Sequence, residues 1–157
     1  MELFKTTAGI DVVHVPYKTM AQGVTDLLGG HVDAAFNNLP SQLANVRTGR
    51  MRALGITSAK RVEQLPDVPT IIESGFPGFE VTVWQGLCAP IRTPAAIIAK
   101  LHGDVTKALA APDLRQRFSE QGVDATASAS PEAFAAFTRV ETARWAKTVR
   151  ESGTTAQ

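Results

Sequence analysis

Polar and charged side chains gather at two places where a short apolar run gives way to a helical pattern. Residues 15–20 (VPYKTM) form the first place and residues 36–41 (FNNLPS) form the second. In an open α/β sheet, ligands bind outside the carboxyl ends of the strands, where backbone N–H groups at helix N-termini attract anions. These two places could therefore receive an organic carboxylate, and the candidate ligand-binding residues are Tyr17, Lys18, Thr19, Met20, Asn37 and Asn38.

Each candidate has a chemical role to offer. Tyr17 could supply a flat wall and a hydroxyl, Lys18 a steering charge, and the two asparagines amides that both donate and accept hydrogen bonds. A simpler interpretation is that Thr19 and Asn38 only cap helices while Tyr17 packs against a proline. The spacing alone favours the simpler interpretation.

The elements that must position these residues follow an alternating pattern. Short apolar runs alternate with helical segments up to Leu87, which predicts βαβ crossovers, a largely parallel sheet and an α/β fold. The runs are rich in aliphatic residues, which is typical of strands covered on both faces. Strands are predicted at residues 11–15, 32–36, 52–57 and 81–87, and the chain beyond them is predicted to be helical.

Capping signals mark several predicted helix starts. Thr19 with Gln22, and Thr70 with Glu73, have the spacing of capping boxes. The second box is expected to open a short helix that stops at Gly75.

Two helices of the second half carry distinctive faces. A helix beginning at residues 93–94 has an apolar face, and the last helix places Glu141 on the same stripe as its aromatic residues. A partly buried carboxylate needs a hydrogen-bond donor, so we expect a structural partner for Glu141. The apolar face of the earlier helix consists of Ile97, Leu101, Val105 and Leu109.

Composition excludes several classes of protein. The 157 residues are 44% hydrophobic, enough for one ordinary core, and the net charge is +1 with no basic block to follow a phosphate backbone. Nucleic acid is therefore not an expected partner. The apolar runs are shorter than the roughly 20 residues that span a bilayer, and the first residues do not resemble a secretory signal peptide.

Enzyme chemistry lacks the motifs it would need. No serine lies in a GxSxG elbow, no Walker or dinucleotide-binding motif occurs, and the histidines have no metal-ligand spacing. Cys88 is predicted to be a buried thiol at the end of a strand. We therefore expect no catalytic residue, no metal site and no cofactor, with a small hydrolase that uses a serine or Cys88 as the enzyme alternative.

Seven short motifs in order carry a family resemblance. The chain resembles the substrate-binding proteins of tripartite tricarboxylate transporters, the Bug family, over nearly its whole length. The motifs are residues 2–5 (ELFK), 14–18 (HVPYK), 26–30 (DLLGG), 57–61 (TSAKR), 65–70 (LPDVPT), 84–90 (WQGLCAP, without its cysteine) and Glu141 with residues 145–147 (WAK).

The resemblance implies a type II periplasmic-binding-protein-like fold, here partial, in which two lobes close on a carboxylate. Residues 1–79 would form most of the second lobe, and residues 80–157 the crossover strand and the C-terminal helices that belong to the first lobe. It also implies a periplasmic location and membrane transporter subunits as partners. Only the C-terminal half of the family pattern is matched, so we expect a truncated form without the opening strands, the serine- and glycine-rich ligand loop or a signal peptide.

The resemblance also bears on the ligand. Relatives that bind amino acids often present an acid near Asn37, so the amide here favours a simple carboxylate or an aromatic acid. Many relatives have glycine where Thr19 stands. Arg61 and residues 66–70 are expected to be structural.

Two further hypotheses remain open at this point. One is a ligand-sensing domain of the same fold, which would need an attached DNA-binding or membrane segment. The other concerns assembly: strands and apolar helix faces left without partners tend to pair between copies, so we expect a dimer or higher oligomer, with exchange of the helices after Leu87 as one route.

Overall fold

A computed structural model describes residues 1–153, which fall into two compact units that divide after Val83. No helix in these residues is long and apolar enough to cross a membrane. The described residues contain six α-helices: α1 (Glu2–Ala8), α2 (Met20–Leu28), α3 (Leu39–Arg47), α4 (Ala95–Leu109), α5 (Pro112–Glu120) and α6 (Pro131–Ser152).

The first predicted capping box is confirmed by its hydrogen bond. Thr19 is the N-cap of α2, and its hydroxyl accepts from the backbone N–H of Gln22 at 3.4 Å. Ser130 caps α6 in the same way and accepts from the N–H of Ala133 at 3.1 Å, with Pro131 in the first turn. Local sequence therefore fixes where both helices begin.

The second capping box forms, but it opens a single turn and not a helix. The Thr70 N–H donates to Glu73 Oε2 at 2.7 Å, and the Glu73 N–H donates to Thr70 Oγ1 at 3.1 Å. The Ser74 N–H reaches the Thr70 carbonyl at 3.1 Å, and Gly75, with φ of 101°, ends the turn. Thr70 is 1% exposed, so the box holds a tightly packed corner.

Arg61 completes this corner. Its Nε lies 3.1 and 2.9 Å from the two carboxylate oxygens of Glu73, and its Nη1 donates to the Pro66 carbonyl at 3.0 Å. The expected structural role of Arg61 and of residues 66–70 agrees with these contacts.

The predicted β-ladder is absent from residues 1–153. The one β-interaction there is an isolated parallel bridge between Ile56 and Thr70, supported by the Ile71 N–H to Ile56 carbonyl bond of 2.8 Å. Residues 11–15, 32–36, 52–57 and 81–87 are not paired as strands. Aliphatic strands of this kind are stable when both faces are covered, whereas Val13 here is 89% exposed.

The core of the first unit is an aromatic cluster centred on α1. The Phe4 ring lies 5.5 Å from Phe36, 5.5 Å from Phe76 and 5.8 Å from Phe79, with the last two contacts edge to face. Phe79 and Leu43 are the buried apolar residues of the unit. Phe4 thus ties α1 to the segment that leads into α3.

The same helix also holds the segment that leads into α2. Glu2 Oε1 lies 3.0 Å from His14 Nδ1. Because Glu2 and Phe4 belong to one short helix, α1 supports both segments that carry the predicted site residues.

A second aromatic cluster organises the unit that begins at Trp84. The Trp84 ring meets Phe134 at 5.6 Å and Phe137 at 5.4 Å, and both phenylalanines belong to α6. Gly86 allows this approach, because a Cβ there would lie 2.4 Å from Phe134 Cζ.

The expected donor for Glu141 is present. Trp145 Nε1 donates to Glu141 Oε2 at 3.1 Å, and Arg144 Nη1 lies 3.5 Å from Oε1. The carboxylate on the aromatic stripe of α6 is therefore partnered within its own helix.

We predict that Phe4→Ala lowers the free energy of unfolding by about 2–3 kcal/mol, because three ring contacts are lost from a partly buried site. Urea denaturation of the chain measures this. Thr6→Ala, an exposed change on the same helix, is the control. Equal stability of the two variants would show that the cluster does not hold the unit together.

A second prediction concerns acid stability. The backbone hydrogen bond from Thr70 and then the Arg61 guanidinium lower the pKa of Glu73. A depressed carboxyl pKa stabilises the folded state above the unfolded-state pKa, and this stabilisation is lost as pH falls through the folded value. The melting-temperature difference between wild type and Glu73→Gln should therefore be largest near about pH 7 and shrink towards about pH 3. A difference that does not change with pH would contradict the lowered pKa.

Candidate anion site at two helix N-termini

The first turn of α2 presents backbone donors. The first N–H groups of a helix lack intrahelical acceptors, and here the Thr19 hydroxyl takes that of Gln22. The N–H groups of Met20 and Ala21 remain at the positive end of the helix dipole. This end of α2 can therefore receive an anion.

The first turn of α3 works differently. Asn38 occupies the N-cap position as predicted, but its side chain makes no capping hydrogen bond. A capping side chain accepts from the second or third helical N–H. The second residue, Pro40, has none, and the third, Ser41, donates its N–H to the Asn38 carbonyl at 3.2 Å. The interpretation of Asn38 as a side-chain cap is therefore wrong, and its amide is left for other partners.

One side-chain contact brings the two turns together. Ser41 Oγ lies 3.4 Å from Met20 Sδ and donates to the Asn38 carbonyl at 2.7 Å. The N-terminal turns of α2 and α3 are therefore neighbours, which is the arrangement that a shared site requires.

A hydrogen-bonded row behind Ser41 supports this contact. Gln42 Nε2 donates to Ser41 Oγ at 3.0 Å, and Asn45 Nδ2 donates to Gln42 Oε1 at 3.3 Å. Gln42 is only 8% exposed. Sequence reasoning missed Gln42; the signal was a polar side chain early in a helix whose second residue is proline.

Tyr17 is held away from the role that its hydroxyl was expected to play. The hydroxyl donates to Asp26 Oδ2 at 2.7 Å, and this hydrogen bond raises the pKa of Tyr17. The ring lies against Gly23, where an added Cβ would come within 3.1 Å of Cδ2. Tyr17 thus offers a wall, with its polar end already satisfied on α2.

An open hollow of about 700 Å³ lies beside this wall. Lys18 and Asn37 are exposed, as the predicted site needs. The charged residues within α2 and α3 are Asp26 and, in the last turn of α3, Arg47. The N-terminal ends of the two helix dipoles and Lys18 therefore contribute positive potential at the turns. The hollow is lined by Pro16, Tyr17, Lys18, Ala21, Gln22, Thr25 and Asp26.

Two further predictions concern metal-binding side chains and the thiol of Cys88. Among residues 1–153, no group of three or more His, Cys, Asp or Glu side chains is placed to hold a metal ion. Cys88 is exposed, so the predicted buried thiol is wrong. The physical reason is that the segment around Cys88 is not a covered strand.

We predict that the phenol of Tyr17 titrates above its ordinary pKa. Tyr17 is the single tyrosine of the chain, so phenolate absorbance in the ultraviolet reports this residue alone. Asp26→Ala should return the pKa towards the ordinary value, because it removes the acceptor that stabilises the neutral phenol. Circular dichroism at each pH is the control for folding, and equal pKa values in the two folded proteins would contradict the hydrogen bond.

The comparisons with known proteins agree on one family. The family model for the "Tripartite tricarboxylate transporter family receptor" matches residues 1–154. Among curated proteins, the "UPF0065 protein in tcbD-tcbE intergenic region" of Pseudomonas sp. strain P51 is 41% identical over 150 residues, which cover 95% of this chain and 44% of that protein. Protein BugT of Bordetella pertussis is 38% identical over 152 residues, covering 97% and 46%.

Solved structures give the same result. Rpa4515 of R. palustris, solved with adipate, superposes with a TM-score of 0.85 at 35% identity and covers 97% of this chain and 50% of that one. MatC of Rhodopseudomonas palustris, with bound malate, gives a TM-score of 0.79 at 32% identity, covering 94% and 51%. The chain thus spans about half the length of the relatives it matches and has the fold of that half, so the α/β periplasmic-binding-protein assignment is confirmed.

Proposed function

Because the chain belongs to the tripartite tricarboxylate transporter receptor family, we propose that it captures a small organic carboxylate at the adjacent N-terminal turns of α2 and α3. The family and its structural neighbours are solute-binding proteins, so binding and release without chemical change is the proposed activity. The observation that carries the proposal is the Ser41–Met20 contact, which makes the two turns one surface.

In the proposed site, uncharged backbone and amide N–H donors contribute most of the binding free energy. One carboxylate oxygen accepts from the N–H groups of Met20 and Ala21, where the dipole of α2 favours negative charge. The Asn38 amide, released from capping, donates to the other oxygen. Asn37 lies beside it and Thr19 fixes the turn by capping α2.

Tyr17 and Lys18 shape the approach to this surface. The Tyr17 ring forms an apolar wall, and the exposed Lys18 ammonium raises the local concentration of anions without a fixed ion pair. An apolar wall beside a positive charge suits a carboxylate with an aliphatic or aromatic body. The malate and adipate held by the two R. palustris proteins are of the first kind.

The role in transport follows from the family. We propose that the chain serves in the periplasm, that its solute passes to membrane transporter subunits, and that residues 1–79 form most of one ligand-binding lobe while residues 80–157 belong to the other. In such proteins, closure of two lobes over the ligand brings donors from both sides to the anion.

We predict that Asn38→Asp weakens binding of adipate or malate about tenfold or more, because a fixed negative charge replaces an amide donor at the turn. Isothermal titration calorimetry on the wild-type chain and the variant measures this. Ala44→Glu adds the same charge at an exposed position further along α3, and we expect it to keep wild-type affinity.

Two results would count against the proposal. If the wild-type chain binds none of a panel of mono- and dicarboxylates, the proposed activity is absent. Equal weakening by Asn38→Asp and Ala44→Glu would place the ligand away from the turn. The neutral diamide of adipate is the ligand control, and its binding with the same affinity would show that charge is not recognised.

A further inference from the structure

Ser41 has a hydroxyl that the carboxylate contacts described above do not use. The side chain is exposed, and its Oγ atom lies 3.4 Å from Met20 Sδ, beside the first turn of α2. A serine hydroxyl carries one proton and two lone pairs, so its hydrogen-bond partners determine whether it donates to a ligand or accepts from one. The contacts around Ser41 identify those partners.

The proton of the Ser41 hydroxyl is donated within the protein. Ser41 Oγ lies 2.7 Å from the Asn38 carbonyl oxygen, and a carbonyl oxygen only accepts hydrogen bonds. Two oxygens at this distance share a proton, so the hydroxyl donates to Asn38. The Met20 sulfur is a much weaker acceptor than a carbonyl oxygen. Ser41 therefore has no proton left for a bound anion.

Gln42 uses one of the two lone pairs on the same oxygen. Because the Ser41 proton goes to Asn38, the 3.0 Å contact between Gln42 Nε2 and Ser41 Oγ is a donation by the glutamine amide. Gln42 Oε1 accepts from Asn45 Nδ2 at 3.3 Å, which agrees with this orientation. The Gln42 side chain is buried, so turning its amide over would leave mismatched polar atoms away from water. Gln42 therefore fixes the polarity of Ser41.

One lone pair of Ser41 Oγ has no partner among residues 1–153. An oxygen that only accepts repels a carboxylate oxygen and binds the hydrogen of a donor group. The proposed donors to the carboxylate are separate, because they are the Met20 and Ala21 N–H groups and the Asn38 amide. The two turns thus combine donors for an acid group with an acceptor for a second, hydrogen-donating group.

We propose that Ser41 determines specificity by accepting a hydrogen bond from a hydroxyl next to the carboxylate of the solute. The chain then prefers a 2-hydroxy acid to the same acid without its hydroxyl, an inference that rests on the proposed carboxylate site. An ammonium group would instead need a free carboxylate nearby. The acidic residue of α2, Asp26, already accepts from Tyr17, and α3 contains no acidic residue.

Calorimetric titration of the 157-residue chain with succinate, malate and aspartate tests this proposal. The three diacids share one carbon skeleton and differ at C2, which carries a hydrogen, a hydroxyl or an ammonium group. We expect malate to bind about fivefold or more tightly than succinate, because one hydrogen bond is gained. Aspartate should bind no more tightly than succinate.

Variants of α3 assign the preference to one oxygen. Ser41→Ala should bring the malate-to-succinate affinity ratio close to one, whereas Ser41→Thr keeps the hydroxyl and should keep the ratio. Thr48→Ala removes a hydroxyl at the other end of α3, where it donates to the Ala44 carbonyl at 2.8 Å, and should leave the ratio unchanged. Loosening of the turns weakens both ligands alike, so the ratio reports the hydroxyl contact.

Four results would overturn the inference, and they separate it from the proposed function. Equal binding of malate and succinate would leave the carboxylate site standing and remove the role of Ser41. A wild-type ratio in Ser41→Ala would place hydroxyl recognition elsewhere. Tighter binding of aspartate than of malate would assign the acceptor to an ammonium group. Binding of none of the three diacids would overturn both the carboxylate site and its specificity.

Discussion

The edge-to-face packing around Phe4 is the contact on which the first unit depends. Phe4 lies on a helix of seven residues, yet it reaches Phe36, Phe76 and Phe79, which are all distant from Phe4 in the sequence. Because the same helix holds His14 through Glu2, one short element fixes the approach to both N-terminal turns. The geometry of the proposed anion site therefore depends on an apolar cluster that contributes no atom to it.

Helix caps and turns could be predicted from the sequence, whereas the pairing of β-strands could not. The cap at Thr19 and the box at Thr70 depend on neighbours within four residues, and both form hydrogen bonds as expected. The predicted strands depend on partners that are distant in sequence and on covering layers. An apolar run indicates that a strand would need pairing partners and covering layers. It does not indicate whether residues 1–153 provide them.

The candidate site shows the same division at the level of single side chains. The turns themselves could be located, because each follows an apolar run and opens a helix. The hydrogen-bond partner of each side chain could not: Tyr17 pairs with Asp26 nine residues away, and Gln42 supports Ser41 from the buried side of α3. Partner choice depends on the curvature of the chain between the groups, which composition and spacing do not determine.

The proline in the first turn of α3 has a consequence for how this surface can change over evolutionary time. Replacing Pro40 by a residue with its own N–H would restore a backbone donor for the side-chain oxygen of Asn38. The helix would gain a cap and become more stable, while the Asn38 amide would no longer be available at the proposed site. If the proposed site is used, a change at Pro40, which contributes no donor to that site, would raise the stability of the protein and lower its affinity without altering any proposed ligand-binding residue.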